Sequence, residues 1–182
     1  MRVKVRCARA DRLRSIMVAN LKHCSKDDLR ALTAQEASAL LACARGLRES
    51  PAGTTGRALR GKNICLLSTP EDHPGAALVL EAATALGAQV ARVPPTLSEF
   101  SSADDVLHTA RLLGRLYDAV ACDGLPSELV RRIAASADVP VFDSITAPDH
   151  AVARLADRLG DDASAQDNQR LMIQALLLCT LA

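Results

Sequence analysis

The sequence predicts a single three-layer αβα domain built on a four-stranded parallel sheet and closed by a C-terminal helix. Three observations predict it: strand-length apolar runs alternate with helical patterns, successive runs lie a full helix apart, and 49% of the 182 residues are hydrophobic, enough for a substantial core. The spacing decides the sheet type. A hairpin needs only a short turn, whereas parallel neighbours need a crossover of about a dozen residues, usually a helix that packs on the sheet.

Thr33-Ala34-Gln35-Glu36 has the form of a capping box, and Ala37, Leu40, Leu41, Ala44 and Leu47 recur behind it at helical spacing, predicting a helix over 33–48. Residues 50–61 read as loop. The run NICLL, 63–67, reads as a buried strand, and 75–86 as a helix that Gly87 ends. A strand over 89–93 is followed by a helix that Ser102 caps, with Asp104 and Asp105 in its first turn, where the helix dipole favours acids. A strand over 118–122, a helix opening after Pro126 and a strand over 139–142 continue the alternation. A helix near 149–159, a polar joint within 159–167 and a last helix over 167–181 complete the domain, which is taken as residues 21–182 behind a basic arm, 1–20.

Composition narrows the function classes. Lys and Arg total 22 against 21 for Asp and Glu, so the net charge of +1 gives no electrostatic case for nucleic acid or a membrane surface. With no Trp and only Tyr117, there is no stacking platform for bases, and no apolar run reaches the length of a membrane span. Six cysteines without a C-x-x-C pair read as reduced thiols in the cytoplasm, and no cofactor is expected. The first 14 residues carry six bases and one acid, a bias reminiscent of an organellar presequence that fits a frayed arm, a short edge strand at Val3 to Val5, or a nucleic-acid- or partner-binding arm.

In an open parallel sheet, ligands bind beyond the carboxyl ends of the strands where strand order reverses, so the chemistry should lie in loops 68–76, 94–101, 123–126 and 143–150. Gly56 to Asn63 is a near miss to a P-loop, but Asn63 stands where a magnesium-binding hydroxyl is needed, and the segment precedes a strand instead of following one. The first candidate loop has Asp72 placed to cap a helix with Pro74 in its first turn, and it holds acids but no Lys or Arg. Asp72, His73, Asp123 and His150 together would make two carboxylates and two imidazoles, a divalent-metal or acid–base cluster if the loops converge. Cys122 reads as a small buried hydrophobe, His23 and His108 as boundary or surface residues, and Arg111, Arg115, Arg131 and Arg132 as solvated or ion-paired.

Leu107 to Val120, LHTARLLGRLYDAV, resembles the D-T-A-R-V-L-G-R-M-Y-D-x-I stretch of ornithine carbamoyltransferases. Lys22-His23-Cys24 with Asp27-Asp28-Leu29 is similar to the family's R-H-F-L-x-D-D opening, and Gly61-Lys62-Asn63-Ile64 to its G-K-x-I strand. Glu81-Ala82-Ala83 with Leu86-Gly87, Ala137-Asp138-Val139-Pro140-Val141, and Ile145-Thr146 with His150, Leu155, Ala156 and Asp157 extend the match. Asn168 and the residues after it resemble the family's last helix. The resemblance implies the carbamoyl-phosphate-binding domain alone, with the amino-acid-binding domain excised at the joint and the closing helix kept.

Carried over position by position, it also implies a lost active site. The family's phosphate-binding Ser-Thr-Arg-Thr-Arg falls on Asp72-His73-Pro74-Gly75-Ala76, and the arginine that polarises the carbamoyl group falls on Asp123. The Gln of H-P-x-Q falls on Ala153, and the S-x-Q-x-G loop that serves a neighbouring subunit falls on Ser98-Glu99-Phe100-Ser101-Ser102. His150 alone is retained and is the one catalytic candidate. The expectation is a degenerate domain without carbamoyltransferase activity that acts as an assembly or regulatory partner. The alternative is a repurposed enzyme or a small-molecule or metal-binding protein using Asp72, His73, Asp123 and His150. Its partners would be copies of itself in a homotrimer, or a longer carbamoyltransferase-like protein in a hetero-oligomer, with neither nucleic acid nor membrane.

Overall fold

Thr33 opens the first helix of the computed structural model, which describes residues 32–50, 55–68, 74–160 and 163–182 and the backbone of His23–Cys24. Helix α1, Ala34–Glu49, carries the predicted capping box: the Glu36 N–H donates to Thr33 Oγ1, and the Thr33 N–H donates to the Glu36 carboxylate at 2.7 Å. Strand β2, Asn63–Ser68, leads to α2, Pro74–Ala85, and β3, Gln89–Val93, to α3, Ala103–Leu116, which Ser102 caps. Then come β4, Ala119–Asp123, α4, Ser127–Ser136, and β5, Val141–Asp143. Helix α5, Ala151–Ala156, runs into a 3-10 turn, Asp157–Leu159, and α6, Ala165–Leu181, closes the described chain.

The four predicted strands form one parallel sheet, and a two-residue strand β1, His23–Cys24, too short for any periodicity to reveal, extends it beside β5. The order is β1-β5-β4-β2-β3. Alternation sorts the side chains into two cores. Ile64, Leu66, Ala119, Ala121 and Phe142 face α1, α2, α5 and α6, while Cys65, Leu67, Val120, Cys122 and Val141 face α3 and α4. From β2 the chain steps outward to β3, then crosses back over β2 to β4. That reversal opens a crevice beyond the carboxyl ends of β2 and β4, where Ser68 and Asp123 are register partners.

Several element boundaries differ from expectation, two of them for a visible reason. β5 starts at Val141 instead of residue 139, because Pro140 lacks an N–H and offers the ladder only its carbonyl, which accepts from Val120. α6 starts at Ala165, inside the expected joint, because the Ser164 hydroxyl accepts from the Asp167 N–H as an N-cap. The basic arm with its edge strand at Val3 to Val5 lies outside the described residues.

Arg48, in the last turn of α1, holds both sides of the joint. Its guanidinium donates to the Leu159 carbonyl at 3.1 Å and to Asn168 Oδ1, and Asn168 Nδ2 donates to the Gly160 carbonyl at 2.8 Å. Asn168 is buried, so removing Arg48 strands an acceptor. Arg48→Ala is expected to lower stability by about 2 kcal/mol in urea denaturation, and Arg48→Lys, which cannot fork to two acceptors, by a smaller amount. Equal stability of all three proteins would show that the joint does not depend on this bridge.

Candidate functional site

Asp123 ends β4 at the switch point and is almost fully buried. Thr146, in the loop after β5, donates its hydroxyl to Asp123 Oδ1 at 3.4 Å, and Gln169 of α6 donates to the Thr146 carbonyl at 2.9 Å. Gly75, in the first turn of α2, is pressed against both. A Cβ there would lie 2.2 Å from Thr146 Oγ1 and 2.9 Å from Asp123 Oδ2. The end of α2 that carries the positive pole of its dipole therefore abuts a carboxylate belonging to the chain itself.

The second carboxylate at this end is Asp143, the last residue of β5 and 1% exposed, which accepts from the Ser144 hydroxyl at 3.0 Å. Ser144 takes a left-handed φ of 46°, and its N–H donates to the Cys122 carbonyl at 2.8 Å, so the chain turns sharply off the strand. Two consecutive turns, Ala147 N–H to the Ser144 carbonyl and His150 N–H to the Ala147 carbonyl, then deliver His150.

His150 has no solvent exposure and caps α5: its Nδ1 accepts from the Val152 N–H at 3.2 Å. That bond places the ring proton on Nε2. Burial pushes its pKa down from 6.5 to about 4, outweighing the opposite pull of Asp149, with Arg154 adding to the depression. The imidazole is neutral near pH 7, and its lone pair is engaged by the helix rather than presented to a ligand.

Of the four residues expected to cluster, Asp123, at the end of β4, and His150, in the loop after β5, are thus buried at the carboxyl end of the sheet, and Asp72 and His73 lie outside the described residues. Among the described residues no three His, Cys, Asp or Glu side chains are grouped to hold a metal ion. Cys122 is an inert core thiol, its pKa raised by burial and then by the carboxylates of Asp143 and Asp123, while burial takes Cys65 to about 11. His108, Arg111 and Arg115 are exposed, and Arg131 pairs with Glu128. Arg132 departs from the solvated reading: it donates to the carbonyls of Ser101, at 2.8 Å, and Glu99, tying the loop after β3 to α4.

The P-loop look-alike sits at the opposite end of the sheet. Leu59 is buried and its N–H donates to the Leu86 carbonyl, so the turn supports the end of α2 instead of cradling an anion. A hollow of about 500 Å³ also lies at that amino-terminal end, bordered by the Lys62–Asp118 ion pair, Arg115, Tyr117 and Asp138. Sequence reasoning overlooked Thr146, Gln169 and the tight fit of Gly75. Only the glycine behind Pro74 left a signal, a residue that disfavours helices placed inside a helix start.

No family model matches the chain. It is 35% identical over 144 residues to the ornithine carbamoyltransferase of Actinobacillus pleuropneumoniae serotype 5b (strain L20), a match that covers 79% of this chain and 43% of that one. The ornithine carbamoyltransferase of Haemophilus influenzae (strain PittGG) matches the same shares at 34%. The chain spans less than half the length of these curated relatives. Among solved structures, ornithine carbamoyltransferase from Thermus thermophilus superposes with a TM-score of 0.59 at 26% identity, over 71% of this chain and 45% of that one. The enzyme from Pyrococcus furiosus, at 23% identity over 72% and 42%, shares the fold with a TM-score of 0.60. Sequence identity spread over most of a chain that also has this fold reflects common descent, and the protein belongs to the ornithine carbamoyltransferase family.

Proposed function

We propose that the chain is a degenerate counterpart of the family's carbamoyl-phosphate-binding domain, without carbamoyltransferase activity of its own, that acts in the cytoplasm as an assembly or regulatory partner. One observation carries the reading: a buried carboxylate, Asp123, occupies the switch point against the first turn of α2. The surroundings agree with it. Loops 94–102, 124–126 and 144–150 contain Glu99 and Asp149 but no Lys or Arg, Asp143 adds a buried acid, and in the sequence Glu71 and Asp72 precede α2. Transfer of a carbamoyl group from its phosphate requires preorganised donors for a dianion and a developing oxyanion, and each lost donor typically costs about 100- to 1,000-fold in rate. Acids at those positions repel the same charges. The short joint between Leu159 and α6 agrees with excision of an amino-acid-binding domain at that point.

The assembly we propose is a homotrimer. Among the described residues, the large apolar side chains exposed to solvent are Phe100, at 89%, and Leu112 and Leu116. Leu112 and Leu116 lie on α3, in the stretch most similar to the family, and Phe100 lies on the loop after β3, which Arg132 holds in place. Large apolar side chains left in solvent favour a closed assembly that covers them.

Purified protein supplied with carbamoyl phosphate and ornithine is expected to form no citrulline above background and to show no saturable carbamoyl phosphate binding by calorimetry. Turnover would overturn the loss of activity, and binding alone would show that backbone amides suffice for the anion. Light scattering is expected to give the mass of three chains; a monomer at micromolar concentration would rule the homotrimer out and leave the longer relative as the partner.

A further inference from the structure

Cys43 and Cys179 meet where α1 packs on the closing helix α6. Both are partly exposed and pack at the edge of the core, unlike Cys65 and Cys122, which the sheet seals off. The Cys179 side chain lies close enough to Cys43 to perturb its thiol. The Arg48–Asn168 contact, near the C-terminal end of α1 and the N-terminal end of α6, fixes the two helices as an antiparallel pair. The two sulfurs are therefore neighbours on rigid elements and within reach of small reagents.

We propose that Cys43 and Cys179 are a redox modification site, forming a reversible disulfide that clasps α6 onto α1. A disulfide needs its two Cα atoms within about 7 Å and its Cβ vectors converging, and two thiols that already interact across a packed helix pair are placed to approach that geometry. The pair also has a direction. The Cys179 side chain holds the Cys43 thiol below its ordinary pKa, against the contrary effect of burial, so Cys43 supplies the attacking thiolate.

The oxidant is a low-molecular-weight disulfide, RSSR. The Cys43 thiolate attacks one of its sulfurs, the external S–S bond breaks, and RS⁻ leaves with a mixed disulfide formed on Cys43. Cys179 then loses its proton and attacks Cys43 Sγ, expelling the second RS⁻. The two cysteine protons end on two molecules of RSH, two protein thiols are oxidised, and the external disulfide is reduced. The loop so closed contains nearly all of the described domain, and long loops give the largest restriction of the unfolded chain.

The full chain incubated with glutathione disulfide, then alkylated and digested, is expected to yield a peptide linking Cys43 to Cys179. The melting temperature should rise by about 10 °C and return on adding dithiothreitol. Cys179→Ser is expected to stop at a glutathione adduct on Cys43. The proposal is overturned if both thiols still alkylate after oxidation, or if the linked peptide joins other cysteines; that wild-type measurement stands whether or not the variant folds.

Discussion

Lowering the pH from 7 to 4 is expected to cost the fold about 3 kcal/mol through His150 alone, at about 1.4 kcal/mol for each pKa unit. The folded ring has its pKa depressed from 6.5 to about 4, whereas in the unfolded chain it regains the ordinary value. Between those values the unfolded state binds the proton and the folded state does not. Stability from this group is therefore fully present above pH 6.5, falls as the pH drops, and levels off below about pH 4. Two effects act together: the charged ring would be buried without solvation, and the proton would sit on Nδ1, turning the acceptor for the Val152 N–H into a second donor. His150→Asn keeps a capping acceptor and removes the titration. Urea midpoints measured from pH 4 to pH 7 should fall more steeply for the wild type than for this variant, the difference isolating His150 from the carboxylates that titrate in both. Parallel profiles would mean that the ring is not buried in its neutral form.

His150, the catalytic candidate of the sequence, thus has a structural role as the cap of α5. The cap it forms is local, and the sequence places a loop over 143–150 ahead of a helix near 149–159. The same holds for most of the backbone. Thr33, Ser102 and Gly87 announce helix ends through side chains or backbone freedom that act within four residues, so the elements they bound emerge where periodicity places them. What periodicity cannot encode is contact between distant segments. Arg132 reads as a solvated helix residue until the fold brings the carbonyls of Glu99 and Ser101 beneath it. Asp123 reads as a charge reversal, but only the packing of α2 against β4 makes that reversal a carboxylate set against a helix start. The exposed apolar residues were equally silent, because the exposure of Phe100 on its loop and of Leu112 and Leu116 on α3 is set by what the rest of the fold leaves uncovered.

Gly75→Ala is expected to destabilise the protein by about 2 kcal/mol, although alanine is otherwise favoured over glycine in a helix by about 1 kcal/mol. The added methyl would lie 2.2 Å from Thr146 Oγ1 and 2.9 and 3.1 Å from the Asp123 carboxylate oxygens, so something has to move. Thr146 is a short side chain held by its neighbours: its hydroxyl donates to Asp123 and its carbonyl accepts from Gln169. Asp123 is buried at the end of the central strand and has little freedom to withdraw. Thr146→Ala alone should cost little, since it gives up one long hydrogen bond. Combined with Gly75→Ala it should recover at least about 1 kcal/mol of the loss, a coupling that only direct contact produces. Denaturation midpoints of the two single variants and the double variant give that coupling directly. If Gly75→Ala is neutral or stabilising, α2 does not press on the strand end, and the crevice has room for a ligand. If the coupling appears, the chain's own side chains fill the space beside the helix start, as the proposed loss of phosphate binding expects.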